Sequence, residues 1–188
     1  MGNKHSRQSY SKVEQITKNE ADEAKYYLPN SLDDIDRLHA HTFIKMNVFQ
    51  SNFSVPIEER LIRGECKVLD VGCGPGTWLL DLASRYDKSS FFGVDIKSIY
   101  PSQIKPANLK FIQADVSDGL PFPDNEFDFV NQETMLFIWT IDQWDFILSE
   151  LIRVTSPGGY IQICEAFFYK DRGVGPNLYK VIEGCKFY

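Results

Sequence analysis

Residues 68–77, with the sequence VLDVGCGPGT, place three glycines between an apolar stretch and an amphipathic one. Residues 67–71 predict a short buried strand, and residues 77–86 carry leucines at helical spacing. Small residues at such a junction let the backbone approach a ligand closely, and the helix that follows offers unpaired amides. The segment therefore predicts a ligand-binding turn between a strand and a helix.

Strand-like and helix-like segments alternate from residue 67 onward. We predict strands at residues 67–71, 91–94, 109–113, 127–131 and 160–166. We predict helices at residues 31–49, 56–63, 77–86 and 144–155, with Ser31 as the N-cap of the first. This alternation is typical of a parallel sheet with helices on both faces. The predicted fold class is α/β, a Rossmann-like sheet of about five strands.

The 188 residues favour one domain with a tail. We divide the chain into a flexible N-terminal arm (residues 1–25), an N-terminal helical cap (26–64) and a ligand-binding domain (65–188). The net charge of −6 makes nucleic acid a poor partner. No apolar run is long enough to span a bilayer.

The four cysteines occur without a C-x-x-C pair or a zinc-type spacing, so we predict no metal site. Residues 1–10 are polar and lack the apolar core of a secretion signal. Reduced thiols in the cytoplasm are therefore the expectation.

Five motifs in order resemble those of class I S-adenosylmethionine-dependent methyltransferases. They are the glycine loop and the segments at residues 93–95, 113–116, 120–130 and 151–160. Residues 27–29 and 36–39 further resemble a fungal subgroup that includes the LaeA-like methyltransferases. The resemblance implies S-adenosyl-L-methionine as the cofactor and methyl transfer as the activity.

The resemblance also implies roles for the loop and the first strand. Gly72, Gly74 and Gly76 would cradle the methionine part of the cofactor, with Cys73 in the same loop. Asp70 would either brace the loop or reach the cofactor ammonium through water.

Further cofactor contacts are implied at the ends of the next three strands. Asp95 would bind the two ribose hydroxyls, because a carboxylate offers two acceptor oxygens to a vicinal diol, and Ile96 adjoins it. Asp115 would meet the adenine amino group, with Val116 offering a backbone contact. Asn131, at the predicted end of the fourth strand, would line the methyl-transfer cleft. No residue identifies itself as a general base, so the catalytic residues stay unassigned.

Alternatives remain open at this point. A dinucleotide-binding Rossmann protein would carry G-x-G-x-x-G, whereas this loop runs G-x-G-x-G with a proline after the second glycine. Class I methyltransferases end in a β6–β7 hairpin, for which we find no room after residue 166, so we expect a C-terminally truncated fold. The chain is then either a methyltransferase of uncertain activity or a non-catalytic module that binds cofactor or a protein partner. Such a module would associate through the open sheet edge.

The first residues match a modification template. Residues 1–6, MGNKHS, fit M-G-x-x-x-[ST], which predicts N-myristoylation of Gly2. Lys4, Arg7 and Lys12 could reinforce weak membrane association, since one acyl chain alone binds only marginally. An ordinary basic tail is the alternative.

Overall fold

The computed structural model describes residues 31–135 and 138–165. The strands are β1 (Lys67–Val71), β2 (Ser90–Asp95), β3 (Leu109–Gln113), β4 (Phe127–Glu133) and β5 (Thr155–Cys164). The helices are α1 (Leu32–Phe49), α2 (Glu58–Arg63), α3 (Thr77–Arg85) and α4 (Ile141–Val154), with a 3-10 turn at Val116–Asp118. The predicted Rossmann-like α/β class is confirmed, and no hairpin follows β5 within the described residues.

Two compact units divide the chain, residues 1–34 and residues 35–188. In the described part of the first unit, Ser31 and Asp34 bond reciprocally. The Ser31 hydroxyl accepts from the Asp34 N–H at 3.3 Å, and the Asp34 carboxylate accepts from the Ser31 N–H at 3.1 Å. Ser31 therefore caps α1 as predicted.

In the second unit all strand pairs are parallel, and the sheet order is β3-β2-β1-β4-β5. The chain runs outward from β1 to β3 and then returns to β4 on the other side of β1. The sheet therefore has a switch point between β1 and β4. In open α/β sheets, ligands bind in the crevice at the carboxyl ends of the strands at such a point.

The alternation of side chains along each strand separates two apolar clusters. On one face, Val68 and Phe129 pack with Leu61 of α2 and Leu79 of α3. On the other face, Leu69 and Val71 of β1 and Val130 of β4 pack against Ile147 and Leu151 of α4. Burying one such side chain contributes about 1.5–3 kcal/mol. Because β1 is covered on both faces, its carboxyl end is held in a fixed place.

Some element boundaries differ from the sequence prediction. α4 begins at Ile141 rather than residue 144, because Thr140 and Gln143 form a capping box. β4 continues through Glu133 rather than ending at Asn131, because it stays paired with β5. β5 spans Thr155–Cys164 rather than residues 160–166, and its register shifts between Phe127 and Phe129 of β4. This irregularity accommodates the segment 157–159, which consists of a proline and two glycines.

None of the helices in residues 31–135 and 138–165 has the length and apolar character needed to cross a membrane.

Candidate functional site

The glycine loop joins the carboxyl end of β1 to the start of α3. Gly72, Gly74 and Gly76 have φ angles of 73°, 53° and 73°, in the left-handed region that favours glycine. A Cβ on Gly76 would lie 2.4 Å from Cζ of Phe111, so a larger residue does not fit there. The N–H groups of Gly72 and Cys73 both donate to the Val94 carbonyl, at 2.9 and 3.1 Å. The loop is therefore anchored to β2.

Asp95 lies at the end of β2, and its carboxylate faces the loop. One oxygen accepts from the Gly74 N–H at 2.8 Å, and the other accepts from the Lys97 N–H at 2.8 Å. Burial raises the pKa of Asp95, although both N–H groups favour the ionised form. Ile96 is held next to it, since its carbonyl accepts from the Gln113 amide at 3.0 Å. The structure thus brings Asp95 and the glycine loop together.

Asp115 follows β3 and caps the 3-10 turn. One of its carboxylate oxygens accepts from the Ser117 N–H at 3.0 Å and from the Ser117 hydroxyl at 2.6 Å. Val116 is buried in the apolar cluster beneath α4. Asp115 therefore lies at the same sheet edge as Asp95, and the capping bonds set the direction of its carboxylate.

Asp70 and Asn131 are buried side by side on β1 and β4. The Asn131 amide donates to Asp70 Oδ1 at 2.9 Å. Asn131 is 1% exposed and Asp70 is 6% exposed. Burial raises the pKa of Asp70 to about 8, and the Glu133 carboxylate adds to this rise. The expectation that Asn131 ends β4 is wrong, because pairing with β5 continues past it. It lies inside the strand, bonded to Asp70.

Two contacts from α1 reach this sheet edge, and the sequence prediction missed both. Lys45 forms an ion pair with Glu133, with side chains 11% and 18% exposed. His39 Nδ1 shares a hydrogen bond of 2.6 Å with the Thr77 hydroxyl at the start of α3. The two partners of the ion pair are 88 residues apart, so no local pattern could have revealed it.

The charge around the loop is mainly negative. The pKa of Asp70 responds to the carboxylates of Asp95 and Glu133, and Lys45 opposes them. Lys45 is already paired with Glu133. Burial raises the pKa of the Cys73 thiol, which favours its neutral form. The site therefore suits a ligand with positive charge.

The described ranges contain no cluster of metal-ligating side chains. No group of three or more His, Cys, Asp or Glu side chains there could hold an ion. Cys66, Cys73 and Cys164 are free thiols, and Cys185 lies outside the described residues.

The glycine loop and the strands around it match a known protein family. Residues 68–159 match the family described as a methyltransferase domain. The match begins in β1, includes the glycine loop and the strands that surround it, and ends inside β5. It favours a methyltransferase over the dinucleotide-binding alternative.

Two curated relatives are fungal. The N-methyltransferase verN of Clonostachys rogersoniana is 30% identical over 145 residues, which cover 74% of this chain and 50% of that protein. The secondary metabolism regulator laeA of Coprinopsis cinerea is 29% identical over 152 residues, which cover 78% of this chain and 37% of that protein. The chain spans half or less of the length of these relatives, and its resemblance to the LaeA-like subgroup is confirmed.

A solved structure shares the fold. The S-adenosylmethionine-dependent methyltransferase from Aquifex aeolicus aligns with a TM-score of 0.51 at 20% identity, over 79% of this chain and 80% of that one. This likeness supports the strand order and the position of the switch point.

Proposed function

On the premise that residues 68–159 belong to the methyltransferase-domain family of class I S-adenosylmethionine-dependent enzymes, we propose that this chain binds S-adenosyl-L-methionine at its glycine loop. We propose that it transfers the methyl group to an acceptor at the carboxyl ends of β1 and β4. The observation that carries the proposal is the convergence of the loop with Asp70 and Asp95 at the switch point of the sheet.

The residues present fit this cofactor. The two oxygens of Asp95 accept the Gly74 and Lys97 N–H groups, and a carboxylate offers about four lone-pair sites, so acceptor capacity remains for a ribose hydroxyl. Beside Gly74 the backbone is open, since a Cβ there would come no closer than 3.9 Å to Leu38. Asp95 and Glu133 supply negative charge around Asp70, which suits the sulfonium and ammonium groups of the cofactor.

The bound cofactor supplies an electrophilic methyl group on its sulfonium. The chain would bind this group, exclude water and align the acceptor, so proximity and orientation account for much of the rate. Met135 lies over the loop, where a Cβ on Gly72 would meet its sulfur at 2.8 Å. We propose that this apolar side chain helps to keep water from the reacting methyl group.

Calorimetry with S-adenosylmethionine and with S-adenosylhomocysteine tests the binding step. A matched pair of glycine variants separates binding from backbone strain. Gly74→Ala and Gly158→Ala both force a side chain into the left-handed region, at φ angles of 53° and 78°. We expect Gly74→Ala alone to weaken binding, by about tenfold or more. No heat from the wild-type chain at millimolar cofactor would refute the proposal.

Transfer itself is tested with S-adenosylmethionine labelled on the methyl group. The wild-type chain is incubated with separate amine, hydroxyl and carboxylic acid acceptors, and the label in each acceptor is counted. Because the chain spans half or less of its curated relatives, transfer is measured separately from binding. Label in no acceptor, together with intact cofactor binding, would favour the non-catalytic module.

A second candidate function is protein association through the outer edge of β5. Among the described residues β5 pairs only with β4, and Ile163 on it is 41% exposed. Unpaired strand edges pair readily with other chains. Light scattering on the purified chain would detect self-association, and Ile163→Lys should reduce it. A monomer at all concentrations would argue against self-association through this edge.

Two further predictions rest on the sequence alone. Acylation of Gly2 lies outside the described residues, and weak membrane association depends on it, whereas a cytoplasmic location follows from the expected reduced thiols. We propose both as properties of the native protein. Intact mass of the protein purified from its own host would show the added myristoyl group, whereas a free or acetylated N-terminus would refute acylation.

A further inference from the structure

A row of polar side chains crosses the middle of the sheet on the face of α2 and α3. Asp70 of β1 is the register partner of Asn131 of β4, which is the register partner of Gln162 of β5. Neighbours in register point to the same face of a sheet. The three side chains form one continuous chain of hydrogen bonds within an otherwise apolar layer.

The hydrogen bonds in this row all run in one direction. The Ser54 N–H donates to Gln162 Oε1 at 2.8 Å, Gln162 Nε2 donates to Asn131 Oδ1 at 3.1 Å, and Asn131 Nδ2 donates to Asp70 Oδ1 at 2.9 Å. A backbone N–H can only donate, so it determines which end of the Gln162 amide faces it. Gln162 in turn orients Asn131. The direction is thus set by the backbone at Ser54.

Asn131 is too buried to serve mainly as a contact for solvent-borne ligands, since it is 1% exposed. Both of its amide atoms are engaged within the row. Its environment differs from that expected of a residue lining the methyl-transfer cleft. The side chain that it orients, Asp70, lies two residues before the glycine loop.

We infer that Asn131 and Gln162 are positioning residues, which orient the Asp70 carboxyl group beside the glycine loop and ease its ionisation when a cationic cofactor binds. The inference rests on the proposed binding of S-adenosylmethionine at that loop. Each amide presents its donor end toward Asp70, and hydrogen bonds in series polarise one another. The row therefore favours the charged form of a carboxyl group that burial disfavours.

Other charged groups face Asp70 and act on it as well. Glu133 of β4 and Asp95 of β2 disfavour its ionisation, and Lys45 of α1 favours it. The Cys73 thiol is also electrostatically coupled to it. Lys45 is bound to Glu133, so these two charges largely offset each other at Asp70. The amide row is the remaining contact that favours ionisation of Asp70 against the effect of burial.

The test measures the ionisation of Asp70 directly, by the carbon-13 shift of its carboxyl group over a pH series in the ligand-free chain. Asn131→Leu removes the donor at similar volume, and Gln162→Leu removes only the group that orients Asn131. We expect the midpoint to rise by about one pH unit in Asn131→Leu and by less in Gln162→Leu. Tyr160→Phe, two residues before Gln162 on the same strand, should leave the midpoint unchanged.

Calorimetry with S-adenosylhomocysteine over the same pH series provides the second measurement. Below the midpoint, we expect Asn131→Leu to bind about tenfold more weakly than wild type. In Asp70→Asn, the affinity should no longer change with pH at the midpoint assigned to Asp70, which Asn131→Leu is expected to shift upward. The ammonium of the ligand titrates equally in every variant, so differences between variants belong to the protein.

The outcomes separate the two proposals. If wild type binds but both leucine variants keep its midpoint and its pH profile, the positioning role is refuted and the proposed function stands. If wild type does not bind, the proposed function fails, and the carboxyl shifts still decide whether the row controls Asp70. Gln162 is only half-buried on β5, so Gln162→Leu keeps the test valid even if Asn131→Leu fails to fold.

Discussion

Asp70→Asn tests the electrostatics of the site through the stability of the fold. The substitution keeps the shape of the side chain and an oxygen that can accept from Asn131, but it removes the titrating group. In the folded chain the pKa of Asp70 is about 8, compared with an ordinary value of 3.8. Each unit of difference corresponds to about 1.4 kcal/mol, so the unfavourable burial of the charge amounts to at most about 6 kcal/mol.

The pH dependence has a definite sign. Between about pH 4 and pH 8 the folded state keeps a proton on Asp70, whereas the unfolded chain has released it. The folded state then binds more protons, so the free energy of unfolding falls as pH rises through this window. Relative to high pH, the stabilisation that comes from keeping this proton is fully present below about pH 4, and it is lost above about pH 8. Asp70→Asn should therefore be more stable than wild type at neutral pH, by about 1–4 kcal/mol.

Urea denaturation of both proteins at pH values from 5 to 9 measures this difference. We expect the advantage of Asp70→Asn to grow with pH and to level off above about pH 8. Asp87→Asn, at an exposed position after α3, is the control and should change stability by less than about 0.5 kcal/mol. A difference between Asp70→Asn and wild type that is constant from pH 5 to 8, or a less stable variant, would refute the reasoning.

Three further substitutions test other parts of the site. Gly76→Ala should cost about 2 kcal/mol or more in urea denaturation, because its φ is 73° and its Cβ would meet Phe111; an unchanged midpoint would contradict the loop geometry. Lys45→Met should destabilise by about 2 kcal/mol by leaving Glu133 unpaired, and adding Glu133→Leu should restore much of the loss, which a thermal melt of all three variants would measure. Asp95→Ala should weaken cofactor binding at least tenfold by calorimetry, and unchanged affinity would show that the ribose site is elsewhere.

Much of the fold was predictable because local signals determine it. The bounds of β1 and β3 match the prediction, and α2 ends at Arg63 as predicted, where Gly64 caps it in the left-handed conformation that glycine favours. The boundaries that were wrong depend on partners elsewhere in the chain or on capping contacts. β4 extends to Glu133 because β5 continues to pair with it, which no pattern within β4 could indicate.

The candidate site was predictable in its membership but not in its contacts. The glycine loop, Asp95 and Asp115 follow strand ends, and parallel strands bring their carboxyl ends to one edge. The residues to which they bond could not be read from the motifs. Asp95 bonds the Gly74 N–H and Asp115 caps a 3-10 turn. The cofactor contacts assigned to these side chains stay predictions.

The amino-acid sequence by itself determined the order of strands and helices, the glycine loop and the family to which that loop points. These properties depend on residues that are neighbours in the chain, where periodicity and backbone preference act directly. Only the tertiary structure decided that Lys45 of α1 meets Glu133, and that Asn131 and Gln162 align with Asp70 across three strands. Their physical basis is the packing of distant segments, which sets the charge on Asp70 and hence the electrostatics of the site.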